Sequence, residues 1–339
     1  MVWMEDCHGD TYSVHPFGGA VYTATHAHYC GNIGEFPQLN PWHVNHSLAF
    51  DKNPSDRLIT PDIHGYRSFT GNPAGRLHHW YPDWATGKAS GVGQAGWDIT
   101  SSGDYLLYGG EFTAVNNVQQ QGLVRFAKAG TVDPKMGPSV KGGNYKIDAR
   151  SIAGGQVRLS WEANYVPDDA ELTYEVLRQG VSEPLYTTTS RSTFWVRDRM
   201  AFTDRGLVGG QTYNYQVRVT DPHGNWTRSD WTPVTVSTTD VPTTSYSDSV
   251  LQTDPVHYWP LGEPSGTTAY DWAGANDMSL TQNTVRAQPG QVIADGESSA
   301  STRFNGFSSS GGTSTSVQGL NTFSVEAWFR TTSSSGGKI

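Results

Sequence analysis

The stretch Leu207-Val208-Gly209-Gly210-Gln211-Thr212-Tyr213-Asn214-Tyr215-Gln216-Val217-Arg218-Val219 decides the fold class. Tyr213, Tyr215, Val217 and Val219 alternate with polar residues, which places all four on one face of a strand. A Gly-Gly turn leads into it, and the Tyr213 hydroxyl can bond back to the backbone of that turn. Upstream, Val157-Arg158-Leu159-Ser160-Trp161 alternates in the same way, and Tyr174-Glu175-Val176-Leu177-Arg178 reads as a neighbouring strand. Downstream, Asp221-Pro222-His223-Gly224-Asn225-Trp226 has the composition of a hairpin loop. Phe323-Ser324-Val325-Glu326-Ala327-Trp328-Phe329 repeats the alternation near the C-terminus. No segment holds an apolar stripe of helical period, so the chain is expected to be all-β.

Composition agrees. The chain has 339 residues, room for two or three domains at roughly 100–200 residues each. Aromatic residues make up 12%, which excludes a disordered chain. Glycine numbers 38 without a period of three, which excludes collagen. No apolar run reaches the length of a membrane-spanning helix. The net charge is −9 and no basic run exists, so no nucleic-acid footprint is expected. Polar stretches divide the chain. Residues 1–144 hold nearly all the histidine, 145–238 are the most charged, 239–246 form a Thr/Pro linker, and 247–339 are dense in Ser, Thr and Gly.

Each part resembles a known family. Tyr105-Leu106-Leu107-Tyr108-Gly109-Gly110-Glu111-Phe112-Thr113-Ala114-Val115-Asn116 and the strand Gly122-Leu123-Val124-Arg125-Phe126 resemble the repeat of delta-60-type β-propellers. A second copy starts at Gly19-Ala20-Val21-Tyr22-Thr23-Ala24-Thr25-His26 and continues at Ser47-Leu48-Ala49-Phe50-Asp51, so residues 1–144 are expected to form partial propeller blades. Residues 145–238, with Trp161, Leu207 and Tyr213, resemble an immunoglobulin-like fibronectin type III sandwich. Residues 247–339 resemble the first half of a laminin-G-like, concanavalin A-like jelly roll. That resemblance rests on His257-Tyr258-Trp259-Pro260-Leu261-Gly262-Glu263, on Asp271, and on the run from Phe323 to Arg330. It implies a strand at 323–330 and a core position for Trp328; because Pro lacks a donor, the strand reaching Pro260 is expected to lie at an edge or to end there.

Cys7 and Cys30 admit three states. A disulfide is expected in an oxidising compartment. A metal site is the rival, since His26 and His28 would share a strand face with Cys30, and two free thiols is the third. Trp80, Trp84 and Trp97 either pack between blades or form a platform on which sugar rings stack. Calcium is the one cofactor considered, through Asp271, Asn276 and Asp277 in the truncated jelly roll, against a role for these residues as turn formers. No nucleophile elbow, metalloprotease helix or phosphate loop occurs, so no catalytic residue is assigned; His78, His79 and Asp83 form the best remaining polar cluster. The termini look cut from a longer chain. The combination of resemblances implies a secreted bacterial binding or adhesion protein for glycans or cell-surface proteins. The alternative is an accessory region of a secreted polysaccharide-degrading glycoside hydrolase.

Overall fold

Two glycines at positive φ, Gly18 and Gly19, turn the first hairpin, a backbone that residues with a β-carbon resist. They join β1 (Thr11–Phe17) to β2 (Ala20–Ala27), and β3 (Asn45–Leu58) and β4 (Pro73–Leu77) complete a four-stranded antiparallel meander. The computed structural model describes residues 1–238, 244–253, 255–274, 276–290, 299–313 and 323–332. Both halves of the upstream repeat fall here, in β2 and β3. Two three-stranded sheets follow, built from β5 (Trp84–Ala85), β6 (Gly96–Ser102), β7 (Tyr105–Gly110), β8 (Ala114–Val115), β9 (Val118–Gln119) and β10 (Leu123–Ala127). β7 lies between β10 and β6, while β8 carries β5 and β9 on its two edges. Asn116 and Asn117 both take positive φ and form the two-residue loop between β8 and β9, a turn that Asn tolerates well. Ala24 of β2 joins Trp84, Ile99, Tyr108 and Phe112 in the core shared by these three sheets.

The expected central strand is present as β16. Two sheets face each other over residues 145–238. One runs β11 (Ile147–Ala153), β12 (Gln156–Glu162), β15 (Arg199–Arg205). The other runs β14 (Tyr186–Arg191), β13 (Glu171–Arg178), β16 (Thr212–Thr220), with β17 (Trp226–Arg228) and β18 (Thr232–Thr235) both pairing with β16. Tyr215, Val217 and Val219 are fully buried against Val157, Leu159, Trp161, Tyr174 and Val176, so the alternation is also the packing. Each such side chain contributes about 1.5–3 kcal/mol of burial. The Tyr213 hydroxyl accepts the Val208 N–H at 3.3 Å and donates to Gln211 Oε1 at 3.1 Å, pinning the turn before the strand.

The sandwich is joined to the first unit by side chains as well as by the chain. Phe194 and Trp195, on the β14–β15 connection, pack into the core around Phe36 and Tyr81 with ring centroids 5.4–5.8 Å apart. The Tyr81 N–H donates to the Pro167 carbonyl at 2.8 Å.

The third part is less regular. The one α-helix among the described residues, α1 (Ser245–Gln252), is capped by the Thr244 hydroxyl, which accepts the Ser247 N–H at 3.1 Å. It crosses the end of the expected linker, of which residues 239–243 lie outside the described residues. Short strands β19 (Thr268–Ala269), β20 (Met278–Leu280) and β23 (Gly311–Thr313) form one sheet, and β21 (Val285–Pro289) pairs with β22 (Ala300–Arg303). Three expectations fail here. Residues 323–330 form no strand, and Trp328 is exposed rather than in a core. No described strand lies beside them to complete a ladder, and the Trp328 indole N–H donates instead to the Tyr246 hydroxyl at 2.8 Å. Residues 257–263 are likewise irregular, so Pro260 marks neither a sheet edge nor a strand end. Asp277 ties this part to the sandwich: it pairs with Arg158 at 3.0 Å and Arg150 at 2.5 Å, and Arg158 also donates to the Gly274 carbonyl.

Candidate functional site

The hairpin closing the sandwich builds a groove. In the loop 221–225, the Asp221 carboxylate accepts the N–H groups of His223 and Asn225 at 2.9 and 2.8 Å and the Asn225 amide at 2.8 Å. This clamps the turn, with Gly224 at positive φ, and sets the register Thr220 opposite Trp226 and Arg218 opposite Arg228. Thr227 therefore faces inward, while Trp226 and Arg228 face out on one side. Ser229 then turns in; its hydroxyl accepts the Val217 N–H at 3.1 Å, and its carbonyl accepts the Gln216 amide at 2.7 Å. The chain re-emerges at Trp231.

The result is an open groove of about 370 Å³ between Trp226 and Trp231, which are 56% and 41% exposed. Arg228 lies over the Trp226 ring, 5.7 Å from its centroid, and Asp230 lines the same groove. Gln216 forms part of the floor; it is buried, and its carbonyl Oε1 has no hydrogen-bond partner. Two apolar ring faces flanking an acid, a base and an unfilled acceptor suit a ligand with apolar C–H faces and many hydroxyls. Sequence reasoning had passed over this pair. The signal was Trp-x-Arg in a strand too short to bury both faces, followed three residues later by a second Trp.

The expected platform tryptophans separate. Trp84 is buried in the core of the first unit, against Tyr108 and Phe112, with its N–H donating to Ser47 Oγ at 2.9 Å. Trp80 is half-buried edge-on to Tyr22 and Phe126, each at 5.1 Å. Both are packing residues, so they form no sugar platform. Trp97 alone is exposed, beside Tyr12 at 4.8 Å. His79 of the remaining polar cluster lies 2.8 Å from the Val166 carbonyl, at the seam with the sandwich.

Cys7 and Cys30 are disulfide-bonded, which removes the thiol from any metal reading. A register shift between Ala24 and Ala27 breaks the alternation that would have put His26 and His28 together. His26 stacks on His46 at 5.6 Å, whereas His28 stacks on Trp42 at 4.1 Å. Beside the disulfide, buried His8 meets Asp62 at 2.6 Å, and the Asn32 amide donates to Asp62 at 3.2 Å and Asp6 at 3.1 Å. Burial opposes the Asp62 charge, but hydrogen bonds from Asn32 and from the Tyr66 and His64 N–H groups hold its carboxyl down at about 2. Among the described residues, no three His, Cys, Asp or Glu side chains converge as metal ligands.

The same holds for the calcium expectation. Asp271 is fully buried, and its Oδ1 accepts the N–H groups of Tyr258 and Gly274, each at 2.9 Å. Its Oδ2 takes the Asn276 N–H at 3.1 Å and lies 2.6 Å from His257 Nδ1. Asp277 is committed to the two arginines. These carboxylates organise loops and a seam between parts, leaving few oxygens for a cation that wants six to eight. No protein-family model matches the chain, and no curated protein does.

Proposed function

We propose that this chain is an extracellular modular protein that binds carbohydrate, with the Trp226–Trp231 groove as its recognition surface. The observation that carries the reading is the pair of exposed indoles flanking the unpartnered Gln216 carbonyl. Sugar rings offer C–H faces that stack on indole, and their hydroxyls would reach Gln216, Asp230 and Arg228. The disulfide favours an oxidising compartment. The resemblances fit the same role: propeller-like blades, a fibronectin type III-like sandwich and a laminin-G-like part are surfaces for binding.

The test is a glycan array followed by calorimetry on the best neutral oligosaccharide. Trp226→Ala and Trp231→Ala should each weaken binding about tenfold, as loss of roughly 1.4 kcal/mol implies. Unchanged affinity in both variants, or no glycan bound by the wild type, would sink the proposal.

A further inference from the structure

A second hollow, of about 460 Å³, is lined by the segment that enters the sandwich. Gly142 lines the tryptophan groove, whereas residues 144–148 line this one. Three cations, Lys146, Arg197 and Arg199, surround it together with the two carboxylates Asp148 and Glu162. Both carboxylates are already engaged: Asp148 accepts the Arg150 Nε–H at 2.6 Å, and Glu162 pairs with Arg197 at 3.1 Å. Arg197 also donates through Nε to the Ala163 carbonyl at 2.6 Å. Among the described residues, no ion pair includes Lys146 or Arg199, so the hollow carries uncompensated positive charge.

Two aromatic residues that line it add an independent observation. Tyr145 and Trp161 are 2% and 1% exposed, and neither Tyr145 Oη nor Trp161 Nε1 has a hydrogen-bond partner. A buried donor left unmade costs about 1–3 kcal/mol, so two of them on residues lining one hollow call for an explanation. Indole N–H can only donate, as can ammonium and guanidinium. A ligand that satisfies this set must be rich in acceptors and negatively charged.

We propose that this hollow binds the oxyanion of an acidic saccharide, a carboxylate or a sulfate. The proposal rests on the glycan reading for the saccharide that carries the charge; the anion site itself is separate from the tryptophan groove. Lys146 and Arg199 supply the attraction, and the orphaned Tyr145 hydroxyl and Trp161 N–H supply donors that neutral sugars leave poorly used.

Calorimetry on the full chain with trigalacturonate, a sulfated galactan trisaccharide and neutral galactotriose tests it. At least one anionic probe should bind ten times more tightly than the neutral one. That preference should fall severalfold between about 50 and 300 mM salt. Lys146→Gln and Arg199→Gln should each remove most of the preference, while Tyr145→Phe should lower it without lowering the melting temperature. Preference for one anion over the other assigns the site to carboxylate or to sulfate. Equal affinity for charged and neutral probes, or a preference that survives both charge variants, overturns the proposal. Galacturonate monosaccharide separates the two readings. If it binds in a Lys146-dependent way while neutral oligosaccharides do not bind at all, the anion site stands and the tryptophan groove falls.

Discussion

Substituting Glu5 by Gln should stabilise the first unit in a way that grows with pH. Glu5 lies two residues before Cys7, and burial, with Asp6 next to it, pushes its carboxyl up to about 7 from an ordinary value of 4.5. A raised carboxyl favours folding while protonated: the benefit is complete below pH 4.5 and is lost as pH rises through 7. The interval of 2.5 units, at 1.36 kcal/mol each, corresponds to about 3 kcal/mol. Glu5→Gln removes that loss. The stability difference between variant and wild type should be flat below pH 4.5, climb between 4.5 and 7, and level off above. His46 works in the opposite sense. Burial chiefly, with stacked His26 adding repulsion, holds its imidazole at about 4, so its contribution is complete above pH 6.5 and lost as pH falls through 4. His46→Gln should therefore gain relative stability toward acid, over a similar range. The assay is urea titration at pH 4.5, 5.5, 6.5 and 7.5, read by hydrogen exchange of peptides covering β2 and β3. A Glu5→Gln difference that does not change with pH would refute the reasoning.

Reduction of Cys7–Cys30 should lower the stability of the first unit by about 3 kcal/mol, since the bond closes a loop with a sequence separation of 23; a thermal melt with and without reductant reads it. Asp277→Asn should release the third part from the sandwich, because the variant loses the ion pairs to Arg150 and Arg158. Burial raises the Asp277 carboxyl, but the Asp271 N–H and the two arginines outweigh it and hold it low, so the wild type should loosen in the same way as pH falls below the ordinary carboxylate range. Faster hydrogen exchange over residues 255–280, with no change over β16, is the expected pattern.

How far the sequence could be read varied with what settles each feature. β16 was legible because alternation and burial coincide there: every inward residue meets the facing sheet. The turns at Gly18-Gly19 and Asn116-Asn117 went unread, since the repeat resemblance starts a strand at Gly19, although positive φ narrows the choice of side chain at such positions. Residues 323–330 alternate just as cleanly, yet Phe323, Val325, Trp328 and Phe329 stand exposed. Alternation says which face could be buried and nothing about what covers it. The histidines misled for a related reason, because one shifted register at Ala24–Ala27 turns His26 and His28 apart. Trp226 and Trp231 were the hardest to see, since their exposure follows from a three-residue strand and a buried Ser229 between them.

Phe194 and Trp195 have a consequence for how ligands would be held. Because these rings are set in the core of the first unit, the sandwich cannot swivel freely on the chain between them. The two grooves beside residues 141–148 thus keep a fixed bearing toward the first unit, where Trp97 is exposed. A long polymer touching two of these footholds would meet the second at a high effective concentration set by geometry, without entropy lost to a floppy joint. Weak grips would then multiply into a firm one, but only for a polymer whose repeat matches their spacing.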